Sequence, residues 1–236
     1  MQVLEVDPDL GAAIPREQWP LAVRASTAPE FEFECGPWRF APPPEPGSFG
    51  ALILTGLILI RIDAATRSHI EMLGAGDVIS PWVGSGSELS TPSVLTASVV
   101  ARARVALLDR RFALRTARWP EVHGALIQRC IDRARRLSLQ SAINALPRIE
   151  ERVELTLWEL AYRFGRVTRE GIVLDLPISH SQLADIVAAQ RPSVSTAVVR
   201  LEDQRQLSRT ARRTWLLRGS PPEMLSSLAR QSGLEP

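Results

Sequence analysis

The 236-residue chain contains no lysine; all 28 of its basic residues are arginine. A coding bias accounts for the total, although the planar guanidinium fork also suits phosphate and guanine. Cysteine is nearly absent. Cys35 and Cys130 are too few and too far apart for a disulfide framework or a metal knuckle, and they read as reduced thiols. Long apolar runs are missing too. The longest, Ala51–Ile60, is ten residues broken by Thr55 and Gly56, far short of a membrane span. The opening Met-Gln-Val-Leu-Glu-Val-Asp-Pro lacks the basic start and apolar core of a signal peptide, so the expected location is cytoplasmic, with no membrane partner. Paired carboxylates, metal-ligand spacing and a nucleophile–base motif are not recognisable, and an enzyme is not expected. What is present is a 45% hydrophobic composition, enough for two modest domains or one large one.

Charge is placed unevenly. Residues 1–118 hold 11 arginines against 13 acids, whereas residues 119–236 hold 17 against 13. Between Ile186 and Arg218 there are seven arginines and only two acids, Glu202 and Asp203. A local positive surface on a nearly neutral protein is the footprint of a nucleic-acid-binding module. The same stretch carries the clearest pattern in the chain. Leu183, Ile186 and Val187 share one helical face, then Val194, Val198 and Leu201 share another after a tight break. Ser179 caps the first helix and Gln182, three residues on, completes a capping box. An arginine-rich strand–turn–strand follows from Leu207 to Gly219. Together these predict a winged helix-turn-helix, whose second helix enters the major groove.

Upstream, the first thirty residues read as a loose lead-in with one short helix. Pro42–Pro44 and Pro46–Gly47 mark a loop. Two β-rich runs pivot at Thr55–Gly56, a third strand lies around His69–Leu73, and Gly74-Ala-Gly-Asp77 is a turn. Val94–Val100 and Ala103–Leu108 supply two more strands, so residues 30–110 suggest a β-barrel or β-roll. The character changes at Trp119-Pro120. Val122, Leu126, Ile127, Cys130, Ile131, Ala134 and Leu137 recur at three- and four-residue intervals along a predicted helix, Glu121–Leu146, roughly 37 Å long. That stripe needs cover, either from its own domain or from a second subunit through Val122, Leu126, Cys130 and Leu137. Pro147 opens another helix, with Val153, Leu157, Leu160, Ala161 and Phe164 facing a core and Gly165 as terminator; Ile172, Leu174 and Leu176 alternate as a strand.

This order resembles the cyclic AMP receptor and fumarate–nitrate regulator (Crp–Fnr) superfamily of bacterial transcription factors, most specifically over Ile178–Leu207. There Ser-His-Ser-Gln-Leu-Ala-Asp-Ile-Val and Arg191-Pro-Ser-Val-Ser look like the family's two helices, and Leu201-Glu-Asp-Gln like its exit from the second. The resemblance implies an α+β fold of three parts: a β-roll, cyclic-nucleotide-binding-like sensor (1–118), a dimerisation helix (119–146) and a winged helix-turn-helix domain (147–236). It implies a homodimeric regulator on an inverted-repeat operator of double-stranded DNA, with RNA polymerase as a further partner. Arg191 matches the arginine that reads guanine, and Ser179 the phosphate-contacting cap. Gln190, Ser193, Ser195, Thr196 and Arg200 fall on the recognition helix, and Arg209, Arg212 and Arg213 in the wing, where contacts are to phosphates.

The chain departs from the family pattern in two places. Ala188 stands where the turn usually has glycine, and the wing turn Thr210-Ala-Arg-Arg213 also lacks one. In the sensor, Gly76-Asp77 is followed by Val-Ile-Ser-Pro-Trp-Val instead of a Gly-Glu pair, and no arginine lies between Ser68 and Ala101. A buried cyclic phosphate would find no cation in that segment, so cyclic AMP is not the expected effector. A less anionic ligand, held near Trp82 and the Gly84-Ser-Gly-Ser87 loop, and the absence of any effector both remain open. Two cysteines cannot hold an iron–sulfur cluster, and although His69, His123 or Cys35 are of the residue types that bind haem axially, no cofactor is expected. The competing reading is a protein-interaction scaffold that uses the winged helix and the long helix without DNA.

Overall fold

The computed structural model describes residues 1–38, 46–79, 93–211 and 214–219. They form two compact units, Met1–Leu137 and Ser138–Pro236. In the first, helices α1 (Val3–Val6) and α2 (Trp19–Ala25) flank a 3₁₀ turn at Pro8–Gly11. This segment is no loose lead-in. Val3, Leu4, Leu10 and Ala22 are fully buried in one of the unit's two cores, and the side chain of Ser26 satisfies the Leu4 amide at 3.1 Å. Its mixed polarity reflects short helices that bury only one side.

Strands β1 (Glu30–Phe33), β2 (Gly36–Pro37), β3 (Gly50–Ala64), β4 (Arg67–Gly74), β5 (Val78–Ile79) and β6 (Ser93–Leu108) make a six-stranded antiparallel sheet. Its order is β1-β6-β3-β4, with β2 on β6 and β5 on β3. The runs on either side of Thr55–Gly56 are one strand of 15 residues, and the two strands expected after Val94 are one of 16. What looked like a pivot is a bulge, with register against β6 shifting between Ile53 and Ile58. The bulge changes which residues face which core. Ala51 and Ile53 lie in the same cluster as Ile58 and Ile60, while Leu52 and Leu54 face the other. One inserted residue exchanges the faces of a strand. Gly56, at φ +92°, permits the insertion, because a Cβ there would sit 2.3 Å from the Arg102 carbonyl oxygen.

After the short α3 (Arg110–Thr116), capped by Asp109, α4 runs from Pro120 to Asn144, and the boundary between the two units falls inside it. Val122 and Leu126 are completely buried in the core they share with Val3, Leu4 and Phe112. Further along, arginines carry the inward face. Arg129 Nη2 donates to Asp7 at 2.7 Å. Arg133 forms a two-pronged pair with Glu71, both bonds 2.7 Å, and also donates to the Val78 carbonyl at 3.2 Å. Arg136 pairs with Asp77. Burial opposes the charge on Arg133, but the Glu71 carboxylate outweighs it and holds the guanidinium above its ordinary pKa. Asp77 accepts the Gly74 amide at 2.8 Å, which closes the expected turn.

In the second unit, α5 (Ile149–Phe164) buries Val153, Leu157, Leu160 and Ala161 as expected. Gly165 ends it by close approach, not by a left-handed backbone: its φ is −81°, and a Cβ would lie 2.5 Å from Ile172. Strand β7 (Arg166–Thr168), missed in the sequence, pairs with β8 (Gly171–Asp175). Helices α6 (His180–Ile186) and α7 (Arg191–Asp203) follow, then β9 (Leu207–Ala211) and β10 (Thr214–Leu217). The four strands order as β7-β8-β10-β9. Leu183, Ile186, Val187, Val194, Val198 and Leu201, the six apolar positions that define the helix pair, are all buried.

Candidate nucleic-acid interface

Helix α6 begins with a complete capping box. Ser179 Oγ accepts the Gln182 amide at 3.2 Å, and Gln182 Oε1 accepts the Ser179 amide at 2.8 Å. The helix closes through Val187, whose amide donates to the Leu183 carbonyl. The turn then passes through Ala188 at φ +52°, so the left-handed conformation is kept without glycine. Below this turn Asn144 Nδ2 donates to the Ile186 carbonyl at 3.0 Å, and Gln140 reaches Thr156 at 3.1 Å. The end of α4 thereby satisfies a carbonyl at the end of α6.

Helix α7 starts at exposed Gln190 and Arg191, with Pro192 in its first turn, where a missing amide hydrogen costs nothing. Ser193 is half-buried. Thr196 is exposed and returns its hydroxyl to the Pro192 carbonyl at 3.1 Å. Two residues expected on the outer face are otherwise engaged. Ser195 is half-buried and bonded to His180 Nδ1 at 3.0 Å, and Arg200 is ion-paired with Glu150 of α5. In the wing, exposed Arg209 points back toward the helices, its Nη1 3.2 Å from His180 Nε2 and its guanidinium 5.0 Å from the Trp215 ring. Arg212 and Arg213 lie outside the described residues.

Arg191, Arg209, Ser179, His180, Ser181 and Gln182 thus converge on one open cleft of about 530 Å³. Two guanidinium groups, two hydroxyls and an imidazole, with no carboxylate among the lining residues, make it a surface for a polyanion. Burial lowers the His180 pKa, and the charges of Arg209 and Arg191 lower it further against the opposing pull of Glu202. His180 was visible in the motif but given no role. Its partners lie fifteen and twenty-nine residues away, beyond any local pattern.

The long helix needs a correction. Val122 and Leu126 cannot serve a second subunit, because each is 0% exposed within its own unit. Their spacing was right, but the cover comes from α1 and the sheet. A second stripe faces outward: Ile127 is 53% exposed and Ile131 42%, with Cys130, Ala134 and Leu137 beside them. Arg129, Arg133 and Arg136 were also overlooked, although an arginine row at i, i+4 and i+7 on an inward face is a readable signal. The segment between Ser68 and Ala101 has no arginine of its own, and α4 brings Arg129, Arg133 and Arg136 to the Gly76–Val78 backbone and the Asp77 and Glu71 carboxylates. Trp82 and Gly84–Ser87 lie outside the described residues. Among the described residues no cluster of His, Cys, Asp and Glu is arranged to hold a metal, and no helix is long and apolar enough to cross a membrane.

Residues 151–219 match the family profile described as the Crp-like helix-turn-helix domain. No sequence among the curated proteins matches the chain. Solved structures share its architecture at low identity. FixK2 from Bradyrhizobium japonicum is similar at 21% identity and TM-score 0.63, over 86% of this chain and 97% of that one. A cyclic nucleotide-binding domain containing protein from Listeria monocytogenes EGD-e is similar at 18% and 0.67, over 89% and 96%. A CooA mutant from Carboxydothermus hydrogenoformans is similar at 16% and 0.63, over 86% and 88%. Residues 151–219 are therefore similar to a Crp-like helix-turn-helix domain, and the chain shares the α+β fold of these solved structures, with an antiparallel sheet domain ahead of the helix-turn-helix.

Proposed function

We propose that this chain is a sequence-specific DNA-binding transcription regulator, acting in the cytoplasm as a homodimer on an inverted repeat. The observation that carries the reading is the cleft at the start of α6 and α7, where Arg191 and Arg209 stand together on the exposed side of a fully formed helix-turn-helix. Arg191 opens the recognition helix, where a guanidinium reaches O6 and N7 of guanine together. Arg209 and the wing arginines Arg212 and Arg213 serve the phosphates, and Gln190, Ser193 and Thr196 flank Arg191 within reach of the groove. The outward stripe of α4 around Ile127, Cys130, Ile131 and Leu137 is the surface for the second copy, and RNA polymerase is the downstream partner.

The effector is not cyclic AMP in this reading. The α4 arginines that approach the sensor turn are already paired with Asp7, Glu71 and Asp77, so they offer a cyclic phosphate no spare charge. Either a less anionic ligand or none is the signal, and calorimetry with millimolar cyclic AMP should record no saturable heat.

Footprinting of the purified protein on the region upstream of its own operon is the test. Protection of an inverted repeat with half-sites about 34 Å apart supports the reading. Weak, salt-abolished and sequence-blind binding overturns it. Arg191→Ala should cost about 1–3 kcal/mol on the protected site and relax one base pair per half-site. An unchanged base preference would remove Arg191 from that role.

A further inference from the structure

His180 joins three elements that reach the cleft separately. It is the first residue of α6, its Nδ1 lies 3.0 Å from Ser195 Oγ on α7, and its Nε2 lies 3.2 Å from Arg209 Nη1 on β9. Trp215 of β10 completes the arrangement, with its ring 6.0 Å from the imidazole and 5.0 Å from the guanidinium. These contacts fix the proton. A guanidinium can only donate, so Nε2 must carry its lone pair toward Arg209. The single proton of the neutral ring then sits on Nδ1 and is donated to Ser195.

We infer that His180, as the neutral Nδ1–H tautomer, is a positioning residue that sets the recognition helix and the wing in one reading geometry. This rests on the proposal that α7 and the wing bind DNA. The ring anchors Ser195 Oγ as an acceptor and keeps Arg209 on the cleft that Arg191 also lines. The charged groups that face it are Arg209 from β9, with Arg191 and Glu202 from α7. A second proton would go to Nε2 and set a donor against a donor. Arg209 would be released, and a third positive charge would enter the cleft. Protonation therefore exchanges sequence discrimination for sequence-blind affinity.

Two measurements on the full chain test this. Ring nitrogen NMR of the DNA-free protein, with the His180 signal assigned by its loss in His180→Asn, should show the Nδ1–H tautomer at pH 7.5. An Nε2–H or doubly protonated ring would overturn the inference. Binding to the footprinted site and to a scrambled site is then compared between pH 5.5 and 7.5. Wild-type discrimination should fall toward the lower pH, by up to about fivefold as the ring takes its second proton, the worth of one lost hydrogen bond, with the salt slope steeper by up to about one ion. His180→Asn, which keeps only the donor to Ser195, should be low and flat across the range. His180→Gln, which offers an oxygen to Arg209, should be flat and retain most of the discrimination. A His180→Asn profile that follows the wild type would sink the positioning role. If the wild type discriminates at no pH, the DNA-reading proposal fails instead, while the tautomer result still decides whether the link exists.

Discussion

At the scale of single residues, Ala188 shows how firmly the surroundings dictate backbone shape. A left-handed conformation costs a residue with a Cβ roughly 1–2 kcal/mol, yet the turn between α6 and α7 adopts it at φ +52°. The burial of Leu183, Val187 and Val194 on either side leaves no other path. Ala188→Gly should therefore raise stability by about 0.5–1 kcal/mol, after the extra freedom glycine gives the unfolded chain is deducted. Chemical denaturation at neutral pH would measure it, and a loss of stability would mean the turn relaxes differently. The absence of glycine here was legible in the sequence as a departure from the family pattern. Ala188 takes a backbone that glycine adopts at no steric cost, between helices whose apolar positions are buried on both sides. Ser179 and Gln182 were legible for the opposite reason, since a capping box is complete within four residues. Ser195 and Arg200 look like plain exposed side chains in the sequence, and only tertiary partners, His180 and Glu150, show where they are held.

Among the elements, α4 carries two stripes that the sequence presents as one. Three- and four-residue spacing identifies apolar positions but does not say which of two adjoining faces is covered from within. Val122 and Leu126 face the core, and Ile127 and Ile131 face out. Ile127→Glu with Ile131→Glu should give a monomer in sedimentation while changing the unfolding free energy by no more than about 0.5 kcal/mol. A double variant that remains dimeric would move the interface elsewhere. Leu126→Glu, by contrast, should unfold the first unit. The Arg133–Glu71 pair invites a different experiment, because each side chain is only about a tenth exposed. Glu71→Gln should cost about 3 kcal/mol by leaving a buried guanidinium underpaired, whereas Glu71→Leu with Arg133→Met should cost much less. Additive losses from Glu71→Leu and Arg133→Met, measured singly and together, would show that the two side chains do not depend on each other.

For the whole molecule, the three histidines act in one direction. His69, His123 and His180 are each depressed first of all by burial, and the opposing contributions of Glu71, the Ala113 carbonyl and Glu202 do not restore them. Their folded values lie below an unfolded value of about 6.5, so the unfolded chain binds more protons and stability rises with pH. That stabilisation is present above the unfolded value of about 6.5 and is lost as the pH falls through the lower folded values. Glu154 runs the other way, its pKa raised by burial and by Glu151, so its contribution favours the fold as pH falls. The melting temperature should be lower at pH 5.5 than at 7.5, and His69→Gln should narrow the gap. A gap of the same width would assign the dependence to other groups. At this scale the sequence was most informative where contacts are local. The helix pair, its core and the wing could be read directly, whereas the bulge at Gly56 and the continuity of β6 depend on strands that meet only in the sheet.

The arginine row on α4 has a mechanical consequence. An apolar face can slip along a core at little cost, because one methyl group replaces another. A row of charges seated on Asp7, Glu71 and Asp77 cannot. Turning the helix by one residue, about 100°, would tear all three from their partners at once. The shaft is therefore keyed to the sheet. Displacement of the Gly74–Asp77 turn must carry this length of helix with it as a solid piece, and with it the direction in which Ile127 and Ile131 point.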